Sequence, residues 1–232
     1  MKRFILIGGG LTALALTPLA NNKIIKPNVE DFNYEPIKSD IFDYTYKSFS
    51  HYNHRIDTNT VELFIDVAKK FDLYSDTTLF ELCISQICAE SGAKQYYDDG
   101  SLVVSSGNAI GFSQIVPNTG YLFLKNVISK NDSILKSLGG DDYTDIINKR
   151  DENTRAKVIT WLSNKQNNII MWGYIMRYHL DKSKDVDESL MAYNQGEGYV
   201  RRFLKKNKII NEFVYVKKIK QLRIKLRKLF NS

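Results

Sequence analysis

The chain has 232 residues, of which 43% are hydrophobic and 25% are charged, and this composition is that of an ordinary soluble globular protein. The length suffices for one compact domain with a sizeable core. After residue 20 no segment is long and apolar enough to cross a bilayer, which excludes a protein with several membrane spans. The formal net charge of +7 at pH 7 favours anionic partners, whether wall polymer, membrane surface or nucleic acid, without distinguishing between them.

Residues 1–20 have the order of a secretory signal. Lys2 and Arg3 precede an apolar run from Phe4 to Leu19, and small Ala20 follows. The run is short for a membrane span, so a cleaved signal peptide and an uncleaved N-terminal anchor are the two interpretations. Both predict an exported protein in the periplasm or cell envelope.

The same segment also has features of a strand that leads into the dinucleotide fingerprint G-x-G-x-x-A. Its members are Gly8, Gly10 and Ala13, and Glu30 lies near the position of a ribose-binding acid. Pro18, however, would end the phosphate-binding helix after about two turns. The rest of the chain offers no succession of parallel strands, so the signal or anchor is the favoured interpretation.

Residues 21–56 are polar and lack clear periodicity, and we interpret them as an extended linker or a segment that wraps around the following domain. After them apolar residues recur at helical spacing, which predicts an all-α domain over residues 57–232. Asp57 or Asn59 is expected to cap its first helix, and Gly92 to end its second. The predicted helices cover residues 58–71, 77–91, 117–128, 143–149, 151–163, 165–180, 186–193 and 197–229, the last interrupted near 207–211, and a glycine-rich loop covers 92–113.

The two cysteines, Cys83 and Cys88, lie in one predicted helix. Helix geometry places their Cα atoms too far apart for a mutual disulfide, and we interpret both as buried apolar residues. His51, His54 and His179 are scattered, and no Cys/His cluster has metal-ligand spacing. No metal or cofactor is expected.

Glu90 is the strongest catalytic candidate. On a wheel of the predicted helix 77–91 it lies on the apolar side, opposite a polar edge that Glu81 and Ser85 mark. Burial disfavours the charged form of a carboxylic acid, and so does the negative end of the helix dipole. Both effects raise the pKa, as an acid that must keep its proton near neutral pH requires. The alternative is a glutamate that extends into solvent at a helix end.

Several blocks of the chain add to this indication when they are taken in order. They are Glu90-Ser91, residues 105–119, residues 168–174, residues 192–196 (Ala-Tyr-Asn-Gln-Gly) and Tyr215-Val216. In this order they resemble the catalytic domain of the soluble lytic transglycosylases and the related goose-type lysozymes, over residues 57–225. Any one block would be a weak signal, but their agreement in order is specific.

The resemblance implies an all-α, lysozyme-like helical domain with the active-site cleft between helices. It implies that Glu90 is the single catalytic acid and base. Gln114 and Ser105 would hold the sugar, Tyr193 would hydrogen-bond Glu90 or the substrate, and Asn194 would line the site. Amide and hydroxyl groups suit sugar hydroxyl and N-acetyl groups. From the residues alone, Gln114 is also interpretable as a helix N-terminal cap and Tyr193 as core packing.

The activity that the resemblance implies is cleavage of the β-1,4 bond between N-acetylmuramic acid and N-acetylglucosamine in peptidoglycan. Glu90 would protonate the bridging oxygen and then take the proton of the 6-hydroxyl group, which closes a 1,6-anhydro ring. Two alternatives stay open: hydrolysis of the same bond, as in goose-type lysozymes, and a non-catalytic glycan-binding assembly factor. Goose-type enzymes place an acid where this chain has Val116, so hydrolysis would need Asp98 or Asp99, which also fit an ordinary solvated turn.

Two departures from the family pattern concern the loop and the turn before Gln114. The spacing from Glu90 to Gln114 is longer than usual, and the excess falls around residues 95–104, which we interpret as a reshaped cleft or a lid. The usual Met before the Gln is Ser113, and a second family Met is Val116.

Partners follow from the proposed substrate and from charge. Peptidoglycan strands are the expected substrate, and an envelope-spanning secretion machine, wall turnover and phage entry are the contexts left open. A basic C-terminal helix predicts either a docking surface for anionic wall polymer or membrane, or a solvated face. No nucleic acid is expected, since no recognised motif supports it. The basic residues of that helix are Lys217, Lys218, Lys220, Arg223, Lys225, Arg227 and Lys228.

Overall fold

The computed structural model describes residues 41–148, 151–183, 185–206, 210 and 213–230. The predictions for the signal or anchor, the nucleotide fingerprint and the first part of the linker lie outside these residues. Within them the protein is mostly helical and contains no strand, only isolated β-bridges, which confirms the all-α class. The helices are α1 (Ile41–Tyr52), α2 (Thr58–Lys70), α3 (Thr77–Ser91), α4 (Pro117–Asn126), α5 (Ser133–Ser137), α6 (Thr144–Asn148), α7 (Thr154–Ser163), α8 (Lys165–Lys182), α9 (Val186–Gln195), α10 (Glu197–Leu204) and α11 (Val214–Phe230), with a 3-10 turn at Ile128–Lys130.

Helix α1 packs on α2 and α3, so residues 41–52 fit the segment that wraps around the domain and not the extended linker. Tyr44 and Phe49 are buried, and the Phe49 ring meets the Phe64 ring of α2 edge-on at 5.1 Å. The packed part of the chain therefore begins before residue 57. Thr45 and Ser48 occupy the other buried positions of this helix, so its inner face carries too few apolar residues to stand out in the sequence.

The predicted ends of the central helices are confirmed by their caps. The carboxylate of Asp57 accepts a hydrogen bond from the Thr60 amide at 2.7 Å, and that of Asp76 accepts one from the Leu79 amide at 3.0 Å. Gly92 ends α3 in the left-handed region, with φ of 66°. Helix α5 is an addition that the sequence patterns did not predict.

Helices α3 and α8 form the centre of the core. Each is buried on nearly all sides along its middle. The Trp172 ring of α8 stacks on Phe64 at 4.7 Å, and its indole nitrogen donates to Gln86 Oε1 of α3 at 3.1 Å. A Cβ atom at Gly173 would lie 2.4 Å from the Phe71 ring, so only glycine permits this approach of α2 and α8. Such a core fixes the end of α3, where Glu90 lies.

Helix α11 packs along α3 and covers the polar edge of α3 that Glu81 and Ser85 mark. Glu81 is completely buried, and its carboxylate pairs with Arg223 at 2.5 Å and with Arg227 at 2.7 Å. Ser85 is buried as well. The edge that Glu81 and Ser85 mark is therefore an interface between two helices and not a solvent face.

Two further sequence-based predictions concern the cysteines and the membrane. Cys83 and Cys88 are both buried and unpaired, as expected for two small apolar residues. Across the described ranges no helix has the length and apolarity that a membrane span needs.

Candidate active site

Glu90 lies in the last turn of α3, half-buried, between α11 and the loop that follows α3. Its Oε1 atom accepts a hydrogen bond from the hydroxyl group of Tyr215. Burial raises the pKa of Glu90 from 4.5 to about 7, although the Tyr215 hydrogen bond and the charge of Lys218 act in the opposite direction. Near neutral pH both the acid and its conjugate base are therefore populated, which is what proton donation followed by proton removal requires.

Helix α11 supplies the two groups that offset this burial. Tyr215 is itself buried, and burial together with the nearby Glu90 charge keeps its pKa well above its ordinary value, so its hydroxyl group stays a donor. The Lys218 ammonium group donates to the backbone oxygen of Ala89 at 3.0 Å, one residue before Glu90. Sequence reasoning noted Tyr215 only as part of the Tyr-Val block and gave it no role.

A tight turn at residues 111–114 faces the end of α3. The Ser91 hydroxyl group donates to the backbone oxygen of Phe112 at 2.6 Å, which ties the turn to the residue after Glu90. Gln114 has a left-handed backbone (φ 52°), and its side-chain amide donates to the backbone oxygen of Gly111 at 2.9 Å. It does not cap a helix, because α4 begins at Pro117 without a side-chain cap.

Two buried amides hold this turn in place. Asn168 of α8 accepts from the Ser113 amide at 2.8 Å and donates to the backbone oxygen of Ile110 at 2.9 Å. Gln95 accepts from the Phe112 amide at 2.7 Å and donates to the backbone oxygen of Ser163 at 2.9 Å. The sequence patterns placed Asn168 in a family block and Gln95 in the loop excess, without a role for either. Their partners are far away in sequence and could not be assigned from it.

The long loop that begins at Gln95 folds back on itself and is anchored at its base. β-Bridges join Tyr96 to Leu102 and Val104 to Ile110. The Tyr96 hydroxyl group donates to the backbone oxygen of Ser163 at 2.7 Å. Tyr97, near the tip of this loop, is 48% exposed and leaves an aromatic face open to solvent.

Asp98 and Asp99 lie at the exposed tip of this loop. Asp99 accepts hydrogen bonds from the amide and hydroxyl groups of Ser101, and these bonds lower its pKa. Asp98 lies 3.8 Å from Arg55 and 3.9 Å from Lys94. Both carboxylates thus have partners in a turn of the kind that their sequence also suggested.

Of the remaining predicted site residues, one contacts the 111–114 turn and two make only local hydrogen bonds. Tyr193 of α9 reaches the turn, but its hydroxyl group donates to the backbone oxygen of Ser113 at 2.7 Å, and Tyr215 takes the place at Glu90. Ser105 and Asn194 make local hydrogen bonds. The Ser105 hydroxyl group accepts from the Ala109 amide at 3.1 Å, and the Asn194 side chain accepts from its neighbour Gln195 at 2.7 Å. The structure therefore brings Glu90, Tyr193 and the Gln114 turn together.

A cavity of about 520 Å³ lies where residues 107–108 approach α4, α7 and the residues just before α7. Its lining is mixed, with amide, charged, aromatic and aliphatic side chains. Neither Glu90 nor Tyr193 lines it. The lining residues are Gly107, Asn108, Val116, Pro117, Asn118, Tyr121, Asp151, Glu152, Thr154, Arg155 and Val158.

A scan against models of protein families, a search of curated proteins and a search of solved structures each find no match to this chain.

Proposed function

We propose that the protein is a peptidoglycan lytic transglycosylase with a lysozyme-like helical fold, in which Glu90 is first the acid and then the base. The observation that carries the proposal is the Glu90 carboxyl group, which is half-buried at a helix end, has a pKa of about 7 and accepts a hydrogen bond from Tyr215. The ordered sequence blocks around Glu90, Gln114 and Tyr193 add independent support.

The reaction begins with protonated Glu90, which donates its proton to the oxygen between N-acetylmuramic acid and N-acetylglucosamine. The glycosidic bond breaks, and an oxocarbenium-like centre forms that the substrate's own N-acetyl group stabilises, as in the substrate-assisted exceptions to the two-carboxylate rule. The 6-hydroxyl group of the same sugar then attacks that centre, and ionised Glu90 takes its proton. This closes the 1,6-anhydro ring and restores the acid.

Tyr215 has a defined part in this cycle. Its hydroxyl group donates to the Glu90 carboxyl group, and such a bond stabilises the ionised form more than the neutral one. It therefore supports the carboxylate that exists between the two proton transfers. Lys218 acts in the same direction through its charge.

The polymer would run past the 111–114 turn, between the glutamate and the exposed loop. Tyr97 offers an exposed ring on which a sugar face could stack. Ser105, Gln114, Tyr193 and Asn194 remain the proposed sugar contacts, with Gln114 and Tyr193 acting beside Glu90. The cavity at α4 and α7, which Asn108, Asn118 and Tyr121 line among others, would hold another part of the polymer.

Hydrolysis is the second candidate, and the surroundings of the loop carboxylates favour it less. Val116, at the position of the goose-type acid, is an exposed aliphatic side chain that cannot activate water. Asp98 and Asp99 interact with Arg55, Lys94 and Ser101 at the loop tip. Closure of the 1,6-anhydro ring needs no second acid.

The cellular setting belongs to the same proposal. An exported protein of the periplasm or envelope would meet peptidoglycan there, for wall turnover or beside a secretion machine. Of the basic residues of α11, Arg223 and Arg227 bind Glu81, and Lys220 binds Asp187 at 2.5 Å. Docking on anionic polymer or membrane would therefore depend on Lys217, Lys225 and Lys228, which are exposed.

Digestion of purified peptidoglycan tests the proposal. The protein is compared with Glu90→Gln and with Glu62→Gln, a control that changes an exposed carboxylate of α2. Mass spectrometry should find anhydro-muropeptides with the unchanged protein and the control, and none with Glu90→Gln. Reducing-end products would identify a lysozyme instead. Folded protein that binds the wall without releasing products would identify a glycan-binding factor.

A further inference from the structure

A buried carboxylate, Glu81, lies on the same helix as Glu90 and takes no part in the mechanism. The two residues are separated by about 13.5 Å along α3, from the rise of an α-helix. Glu81 has no exposed surface, whereas Glu90 is half-buried. A fully buried charge is costly unless it is paired, so the partners of Glu81 indicate what its burial achieves.

Both partners of Glu81 come from α11. Arg223 Nε donates to Glu81 Oε2 at 2.5 Å, and Arg227 Nε donates to the same oxygen at 2.7 Å. Arg223 also donates to the Thr78 hydroxyl group at 3.2 Å, which adds a second contact to the first turn of α3. Buried ion pairs of this kind add little net stability compared with apolar packing, but they allow very few relative positions of their helices.

The two helices run antiparallel, so the pairs at their two ends are in register. Tyr215 meets Glu90 at one end, and Arg223 meets Glu81 at the other. Tyr215 and Arg223 lie about 12 Å apart along α11, close to the span between the two glutamates. Between these ends α11 carries the completely buried aliphatic residues Val216 and Ile219, and the completely buried Leu226 follows beyond Arg223. Aliphatic packing tolerates small shifts along the axis better than charge-assisted hydrogen bonds do.

We propose that Glu81, through Arg223 and Arg227, is a positioning residue that holds α11 where Tyr215 and Lys218 meet Glu90. Its importance for catalysis depends on the proposed function, but the positioning itself does not. Without it α11 would keep its apolar contacts and lose its fixed register. A small displacement of α11 would be enough to weaken the hydrogen bond from Tyr215 to Glu90, because the strength of such a bond falls steeply with distance and angle.

The titration of Glu90 measures this positioning without any activity assay. The groups that face Glu90 are Tyr193 from α9 and Tyr215 and Lys218 from α11. Tyr215 and Lys218 both lower the pKa of Glu90, so weaker contacts with them raise it. A direct effect of Glu81→Gln would have the opposite sign, because loss of one negative charge beside two arginines favours an ionised carboxylate.

The experiment is a double-mutant cycle on full-length protein, read by the ¹³C shift of the labelled Glu90 carboxyl group. Glu81→Gln should raise the pKa of Glu90 by about half a unit or more, equivalent to partial loss of one charge-assisted hydrogen bond. In a Tyr215→Phe, Lys218→Met background the same change should give no rise, and only the direct lowering of the pKa by the lost negative charge should remain. Lys220→Gln, which breaks the α11 ion pair with Asp187, is the matched control and should leave the pKa unchanged.

An unchanged or lowered pKa in folded Glu81→Gln protein would overturn the proposal, and so would an equal rise in both backgrounds. If Glu81→Gln does not fold, Arg223→Gln and Arg227→Gln each leave Glu81 one partner. Loss of a positive charge itself raises the pKa of Glu90, so the positioning role is measured by the part of the rise that disappears in the Tyr215→Phe, Lys218→Met background. If peptidoglycan is not cleaved by the unchanged protein, the proposed function fails while this titration still decides the positioning role. If cleavage occurs, its pH profile should shift with the measured pKa.

Discussion

The hydroxyl group of Tyr215 donates to the carboxyl group of Glu90 across 125 positions of sequence. This hydrogen bond joins α11 to the C-terminal end of α3, at the residue that we propose as the acid and base. It gives the candidate acid a partner that supports the ionised form while burial supports the neutral form.

Tyr215→Phe is expected to raise the pKa of Glu90 by about one unit, because a hydrogen bond to the carboxylate is lost while burial is retained. Glu90 must be protonated to begin the reaction, so activity declines as the pH rises through its pKa. The variant should therefore retain activity to higher pH than the unchanged protein does. The pH dependence of anhydro-product release measures this limb, and a limb that stays in place would contradict the role of Tyr215.

Glu90 should make the stability of the fold depend on pH. Its pKa is raised from 4.5 to about 7 in the folded state, so the folded protein binds more protons than the unfolded chain between these values. Stability contributed by the protonated group is present below pH 4.5 and is lost as the pH rises through 7. Glu90→Gln should therefore stabilise the protein at about pH 8 by up to about 3 kcal/mol and leave it nearly unchanged at about pH 4.

Urea unfolding at the two pH values provides the measurement for Glu90→Gln. Glu62→Gln, on the exposed side of α2, serves as the control and should show no pH-dependent gain. An equal effect of Glu90→Gln at both pH values would mean that burial does not shift this carboxyl group.

Gly111→Ala should destabilise the turn beside Glu90. The new Cβ atom would lie 2.3 Å from the Gln95 side-chain oxygen, in a backbone with φ of 71°. Gly100 is the matched control, since its φ is 82° and a Cβ atom added there would have no neighbour within 4 Å. We expect a loss of about 1 kcal/mol for Gly100→Ala, from the left-handed backbone alone, and about 3 kcal/mol for Gly111→Ala. Chemical denaturation of both variants compares them directly, and equal losses would exclude the clash with Gln95.

The combined variant Asp98→Asn, Asp99→Asn distinguishes closure of the 1,6-anhydro ring from hydrolysis. If Glu90 acts alone, the variant should keep the anhydro products and most of the rate, because both carboxylates lie in an exposed turn. A selective loss of reducing-end products would instead assign water activation to these residues. Mass spectrometry of the digest distinguishes the outcomes.

Local sequence patterns predicted the helices where apolar residues and caps agree. Gly92 ends α3 in both sequence and structure, since a cap depends on neighbours within a few residues. Helix α1 escaped prediction because Thr45 and Ser48 occupy half of its buried positions. A polar side chain can be buried when other parts of the protein cover it, so polarity alone does not predict exposure to solvent.

The sequence predicted which residues belong to the candidate site more readily than it predicted which of them contact one another. Glu90 was identified from its helix face and the following motif. Which tyrosine reaches it could not be predicted, because Tyr193 and Tyr215 each lie in one of the ordered sequence blocks and the choice depends on how α9 and α11 pack. The burial of Glu81 could not be predicted for the same reason, since its arginine partners are 142 and 146 residues away in sequence.

The docking of α11 also has a consequence in time. A ribosome delivers Glu90 more than a hundred residues before it delivers Tyr215, so the emerging chain holds a glutamate that is still hydrated and ionised at neutral pH. The hydrogen bond and the positive charge that support its ionised form in the folded protein are in place only after residues 215–218 have been synthesised and α11 has packed on α3.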